Sequence, residues 1–186
     1  EGGGVEKNLF IISKYLSNYI KNISIITLSK KYKKKFSKKI NFLTLENDFW
    51  DNLGRRKKFI ISLIILFIEI IKKKRNVLVF CFQGNIYCTL VCKILGIKII
   101  VRSNSAPDGW SQSFIKFIFF KYIFKLADKI IVNSYDFKKN FRKKFKINTE
   151  CIYNPLNTRE IINKSKNKTN LRFPKTNLKI INIGRF

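Results

Sequence analysis

The run Val77-Leu78-Val79-Phe80-Cys81-Phe82-Gln83-Gly84-Asn85-Ile86-Tyr87-Cys88-Thr89-Leu90-Val91-Cys92-Lys93-Ile94-Leu95-Gly96-Ile97-Lys98-Ile99-Ile100-Val101 decides the fold. Val77 to Phe82 is almost wholly apolar, which marks a strand buried on both faces. Gln83-Gly84-Asn85 reads as a turn and Ile86 to Leu95 as a helix. Gly96 is the stop that lets the chain reverse, and Ile97 to Val101 is a second buried strand. A buried strand, a helix and another buried strand in this order form a parallel βαβ unit.

The same alternation continues on both sides. Towards the amino end, Val5 to Tyr19 places Leu9, Phe10, Ile12, Leu16 and Tyr19 at three- and four-residue spacings, which predicts a helix burying that face. Ile23 to Leu28 reads as a short strand, Lys30 to Lys39 as a solvated basic stretch, Phe42 to Leu45 as a second apolar segment and Phe59 to Ile71 as a helix. Towards the carboxyl end, a loop from Arg102 to Trp110 precedes an aromatic helix, Ser113 to Leu126. Strand Asp128 to Val132 follows, with Asn133-Ser134 as its turn. Tyr135 to Phe145 is a basic helix and Glu150 to Tyr153 a last short strand. The fold class is α/β, a Rossmann-like parallel sheet with helices on both faces, occupying residues 1–156. Residues 157–177, rich in Asn, Lys and Thr, read as a linker. Leu178 to Ile183, within 178–186, reads as the opening strand of a second domain.

The chain has 186 residues, of which 39 are Lys or Arg and 11 Asp or Glu, a net charge of +28 with no histidine. Absence of histidine excludes a Ser-His-Asp or Cys-His mechanism and any His-ligated metal centre within this chain. With 46% hydrophobic residues, the chain is too apolar for a disordered polycation. Lys, Ile, Asn and Phe dominate together, a bias that base composition produces as readily as selection for a basic surface. The field attracts polyanions of every kind: phosphate-rich ligands, anionic lipid and nucleic acid. Cys81, Cys88, Cys92 and Cys151 form no Cys-x-x-Cys pair and read as buried free thiols, which suits a reducing compartment. Phe59 to Ile71 falls short of the ~20 apolar residues of a membrane span and contains Glu69. It reads as a buried helix, although the basic runs 55–58 and 72–75 around it suit lipid headgroups. The sequence has no methionine and begins Glu1-Gly2-Gly3-Gly4, so it reads as a fragment or processed chain whose polypeptide continues beyond Phe186.

Ligands of open α/β sheets bind beyond the carboxyl ends of the strands. Gly2-Gly3-Gly4 opens a helix whose free amides suit a phosphate; a flexible terminus is the plain alternative. Arg102 with Asn104 and Asn133 with Ser134 follow strands and read equally as ligand contacts or as loop caps. Gly184-Arg185 follows the last strand, where a guanidinium can grip a diphosphate in bidentate fashion.

These residues carry a resemblance. Gly2 to Lys7 opening a helix, Leu126-Ala127-Asp128-Lys129-Ile130-Ile131-Val132-Asn133-Ser134, Ile152-Tyr153-Asn154-Pro155 and Ile183-Gly184-Arg185-Phe186 resemble, in order and spacing, the GT-B glycosyltransferases of the family-4 type. The resemblance implies the acceptor-side half of a two-domain enzyme without its first strand, running into the first strand of the donor domain and inactive alone. The implied reaction is transfer, with retention, of a sugar from a nucleotide-diphosphate donor to a lipid-linked or saccharide acceptor in surface polysaccharide or lipopolysaccharide synthesis. No metal or other cofactor is implied. Gly3, Gly4 and Arg185 would face the donor diphosphate; Glu6, Arg102 and Asn104 would line the acceptor side; Asn133, Ser134 and Asn154 would shape the cleft. The chain departs from many relatives in carrying Arg102-Ser103-Asn104 near the place of a histidine, and the catalytic residues would lie beyond Phe186.

The bulky helix Ser113 to Leu126, its apolar run interrupted by Lys116, Lys121 and Lys125, suits either an interface with anionic lipid or ordinary packing on the sheet. A cytoplasmic protein held peripherally on the inner face of the membrane is the implied location. The alternative function is a basic nucleic-acid-binding module, suggested by the charge and the interleaved Lys and Phe, but no RNA- or DNA-binding motif accompanies it.

Overall fold

A computed structural model describes residues 3–27, 36–45, 53–74, 76–105, 107 and 113–167. The chain divides after Pro155 into two units. The first contains α1 (Gly4–Leu16), β1 (Ile23–Ile26), β2 (Ile40–Leu43), α2 (Arg55–Lys72), β3 (Leu78–Cys81), α3 (Asn85–Ile94), β4 (Lys98–Ser103), α4 (Phe114–Leu126), β5 (Lys129–Val132), α5 (Tyr135–Asn140) and β6 (Glu150–Cys151). In the second, the described residues include one helix, α6 (Thr158–Ser165).

The architecture is α/β. Strands β3-β4-β5-β6 form a parallel sheet in sequential order, and β1 and β2 form a parallel pair. Strand β4 is the spine: Ile99 and Val101 are fully buried, each contributing roughly 1.5–3 kcal/mol by leaving water. Sequential parallel neighbours joined by right-handed crossovers place α3, α4 and α5 on one face of the sheet. Helix α3 packs against both α2 and α4. Phe124 of α4 meets Phe141 edge to face, with ring centroids 5.5 Å apart, and Phe117 meets Phe145 at 4.9 Å. These rings join Leu66, Ile70, Cys92, Ile99, Val101 and Val132 in one core.

Several boundaries differ from the sequence expectation. Strand β4 runs past Val101 through Arg102 and Ser103, because these pair with Ile131 and Val132 of β5 after β3 has ended. The basic helix after Ser134 is α-helical only to Asn140, and Phe141–Phe145 form a π-helical turn closed by Lys146 in the left-handed region (φ 56°). Helix α1 ends at Leu16, and its buried positions are Asn8 and Ser13, with Ser17 just beyond. Tyr19, expected on the buried face, is exposed and lies against Tyr15 with the two rings tilted by 49°.

The 157–177 segment, expected as a linker, contains α6. Asn157 Oδ1 accepts from the Glu160 amide (3.3 Å), an N-cap that starts the helix, and its Nδ2 donates to the Glu160 carboxylate (3.1 Å), steadying that cap. Lys164 then pairs with Glu160 one turn on, at 2.6 Å. The expected strand 178–183 lies outside the described residues.

Gly84 is where glycine is required. It turns in the left-handed region (φ 71°) to start α3, and a Cβ there would sit 2.0 Å from the Phe59 ring. That ring reaches over from α2 and meets Tyr87 edge to face, with ring centroids 5.4 Å apart. Gly96 has a similar φ of 70° but open space around it.

Candidate functional site

The carboxyl ends of β3 to β6 and the start of α1 meet in a cluster of polar side chains. Arg102, inside β4 and only 1% exposed, donates from Nη2 to the Ile152 carbonyl (2.9 Å) and to Asn154 Oδ1 (3.0 Å). Asn154 Oδ1 also accepts from Asn8 Nδ2 of α1 at 2.8 Å. One carboxamide oxygen therefore links the first helix, the central strand and the segment after β6. Asn85, the first residue of α3, donates to the Arg102 carbonyl at 3.0 Å.

This cluster leaves charge uncompensated. No carboxylate pairs with Arg102 among the described residues, its Nε is buried without a hydrogen-bond partner, and so is Asn85 Oδ1. Burial pushes the Arg102 guanidinium below its usual pKa, since desolvation disfavours the charged form.

Helix α1 starts on Gly3 in extended conformation, and no side chain caps it. Its first intrahelical bond runs from the Lys7 amide to the Gly3 carbonyl, so the amides of Gly4, Val5 and Glu6 have no acceptor within the helix. The Glu6 carboxylate folds back over this turn: its Oε2 would lie 3.0 Å from a Cβ placed on Gly3. A carboxylate at a helix start is favoured by the dipole, and an anionic ligand would compete for the same place. The space beside Gly4 is open.

The other expected residues fall into two roles. Asn104 donates to the Phe82 carbonyl (3.1 Å), bracing the loop after β4 against the end of β3. Ser134 caps α5 by accepting from the Phe137 amide at 3.2 Å. Asn133 is half-buried at the end of β5. Arg185 lies outside the described residues, as does Gly2. Asn8 and Asn85 were not anticipated. Asn8 carried a signal, a carboxamide set among apolar residues of α1, and Asn85 another, the position after a left-handed glycine at a strand end.

Asp128 has a structural part. Its carboxylate accepts from Lys93 Nζ (2.6 Å) and from the Ile99 amide (2.7 Å), tying the start of β5 to α3 and β4. Both bonds, Lys93 first, hold it below the usual carboxylate range. Among the cysteines, Cys92 is pushed up to about 12 by burial. Cys81 donates to the Gln83 carbonyl at 2.8 Å; its bond with Cys88 raises it and lowers Cys88. No group of three or more metal-ligating side chains converges among the described residues.

The strand-end cluster therefore offers hydrogen-bond donors, one carboxylate and a buried positive charge, the equipment for holding an oxyanion and orienting a hydroxyl. Neither the protein-family models nor the curated proteins compared with this sequence give a match.

Proposed function

We propose that the chain is the acceptor-side half of a glycosyltransferase that moves a sugar from a nucleotide-diphosphate donor to a lipid-linked or saccharide acceptor in surface polysaccharide or lipopolysaccharide synthesis. The observation that carries this reading is the anchoring of the uncapped start of α1 to the carboxyl edge of the sheet through Asn8, Asn154 and Arg102. Free amides at a helix start, backed by a buried cation, suit a diphosphate whose charge grows as the sugar–phosphate bond breaks. In this reading the Gly4, Val5 and Glu6 amides approach the departing diphosphate and Arg185 neutralises it from the donor side. Glu6 leaves the helix start when the diphosphate arrives and faces the acceptor hydroxyl, while Asn104 and Asn133 border the acceptor.

The proposed location is the inner face of the cytoplasmic membrane. Support comes from α4, where Phe114, Ile115, Ile118, Phe119, Tyr122 and Leu126 form a stripe facing away from the buried Ile123 and Phe124, with Ile115 79% exposed. At 100° per residue, Lys116 and Lys121 lie on opposite sides of this stripe, and Lys125 lies within it between Phe114 and Ile118, its Nζ 5.9 Å from the centroid of the Tyr122 ring. Such a helix seats its apolar stripe among acyl chains and its lysines at anionic headgroups. No helix among the described residues is long and apolar enough to cross a membrane.

The test is transfer of label from radiolabelled nucleotide sugars to lipid extract or oligosaccharide by the full-length protein, in which this half is joined to the donor-side half. Arg185→Ala is expected to lower it by about 10²–10³-fold, the usual cost of removing one group that stabilises developing negative charge. Transfer that survives the substitution unchanged contradicts the assignment.

A further inference from the structure

A polar cavity lies at the amino ends of β1 and β2, built from three separate parts of the chain. Lys21 and Asn22 lead into β1, Lys39 and Asn41 flank the first residue of β2, and Lys73 follows the last turn of α2. Its volume is about 170 Å³, an order of magnitude above the ~10–15 Å³ that seats one water. Ser24 and Asn41 are register partners on the parallel pair, so their side chains share a face, and both line the cavity.

Charge defines what this cavity takes. Among the described residues, none that line it is acidic. Among the described residues, Lys21, Lys39 and Lys73 have no carboxylate partner; the nearby Glu69 pairs with Lys72 instead, at 3.6 Å. Three exposed lysines lining one open cavity gather positive charge around it, and a multivalent anion relieves their mutual repulsion. A hydroxyl and two carboxamides beside them supply further hydrogen bonds to several oxygens at once. The cavity is too small for a nucleic-acid strand and large enough for one phosphate with its waters.

We propose that this cavity is a binding site for a phosphomonoester, carried by a soluble metabolite or by a lipid headgroup, and separate from the glycosyl-transfer site. The phosphate sits between Lys21, Lys39 and Lys73 with Ser24 and Asn41 beneath it. The proposal is independent of the transferase reading, because it rests on residues at the amino ends of β1 and β2.

The experiment titrates the ¹⁵N-labelled chain with inorganic phosphate and with glycerol 3-phosphate. Separately, it measures co-sedimentation with phosphatidylcholine vesicles with and without phosphatidic acid. Saturable amide shifts centred on Ser24 and Asn41 are expected. Lys39→Ala and Lys73→Ala should each weaken binding about three- to fivefold, as for one partly solvated charge pair. Lys98→Ala, which removes the same charge from an exposed position outside the cavity, should leave the affinity within about twofold. Binding of the soluble esters identifies a metabolite site, whereas binding confined to phosphatidic acid vesicles identifies a headgroup site. The proposal is overturned if neither probe binds saturably, or if Lys98→Ala weakens binding as much as Lys73→Ala. Thermal melts should place all three variants at the parent midpoint, because these side chains are exposed and make no ion pair among the described residues.

Discussion

Replacing Arg102 with Met separates a structural role of the guanidinium from an electrostatic one. Met keeps an unbranched, flexible side chain in the space while removing the charge. The two hydrogen bonds from Nη2, to the Ile152 carbonyl and to Asn154, are charge-assisted and contribute about 1.5–3 kcal/mol each. Against them stand a desolvation penalty of several kcal/mol for an ion 1% exposed and about 1–3 kcal/mol for the unpartnered Nε, with no carboxylate to offset either. Asn154 Oδ1 keeps its bond from Asn8 in the variant, and Ile152 is exposed enough for water to replace the lost donor. The opposing contributions nearly cancel, so Arg102→Met should change folding stability by less than about 2 kcal/mol.

Ligand binding should respond more strongly than folding. Asn8 lies four residues, about 6 Å of helix rise, below Gly4, which puts the guanidinium on the order of 10 Å from an anion at the helix start. A unit charge at that distance in an effective dielectric near 20 contributes about 1–2 kcal/mol per ligand charge. Screening near the surface trims the sum for a diphosphate, leaving an expected loss of about 5- to 30-fold in affinity for a nucleoside diphosphate. Urea unfolding and calorimetric titration measure the two quantities on the same sample. A stability loss above about 4 kcal/mol with unchanged nucleotide affinity would refute the reasoning and make Arg102 a purely structural tie.

Other consequences can be checked independently. Gly84→Ala should destabilise the fold by about 2–4 kcal/mol, combining a left-handed backbone with collision against Phe59, whereas Gly96→Ala should cost only about 1–2 kcal/mol; denaturant midpoints of the pair decide this. Because the folded state depresses the Asp128 pKa, this carboxylate adds stability above its unfolded value near 3.9, and the addition disappears as pH falls through the lower folded value. Asp128→Asn should thus be less stable than the parent at pH 7, by about 1 kcal/mol after allowance for its partial exposure, with the difference vanishing in acid. Iodoacetamide should alkylate Cys88 before Cys81 and Cys92, the order following their opposite pKa directions and burial; mass spectrometry of early time points that found Cys92 modified first would contradict it.

The parallel α/β pattern was legible because buried strands such as 97–101 are continuous apolar runs and the helices between them are punctuated by glycine. Strand ends were less legible. Apolarity stops at Val101, but pairing stops at Ser103, since a ladder depends on the neighbouring strand and not on hydrophobicity. That difference moves Arg102 from an expected loop into a buried strand position. Helix α6 was hidden by a polar composition because its start depends on the Asn157 N-cap rather than on apolar spacing. Asn8 and Asn85 escaped notice because their partners, Asn154 and the Arg102 carbonyl, lie far along the chain. The lysine cavity was equally hidden: nothing local in sequence joins residues 21, 39 and 73.

The most direct test of the proposed function is an amide-resolved NMR titration of the chain with nucleoside diphosphates and their sugar conjugates. The account predicts saturable shifts at Gly4, Val5 and Glu6, tighter binding in Glu6→Gln, where no carboxylate competes for the helix start, and weaker binding in Arg102→Met. Amides of Gly4 to Glu6 that remain unmoved at millimolar nucleotide, or shifts confined to the lysine cavity at the amino ends of β1 and β2, would contradict it.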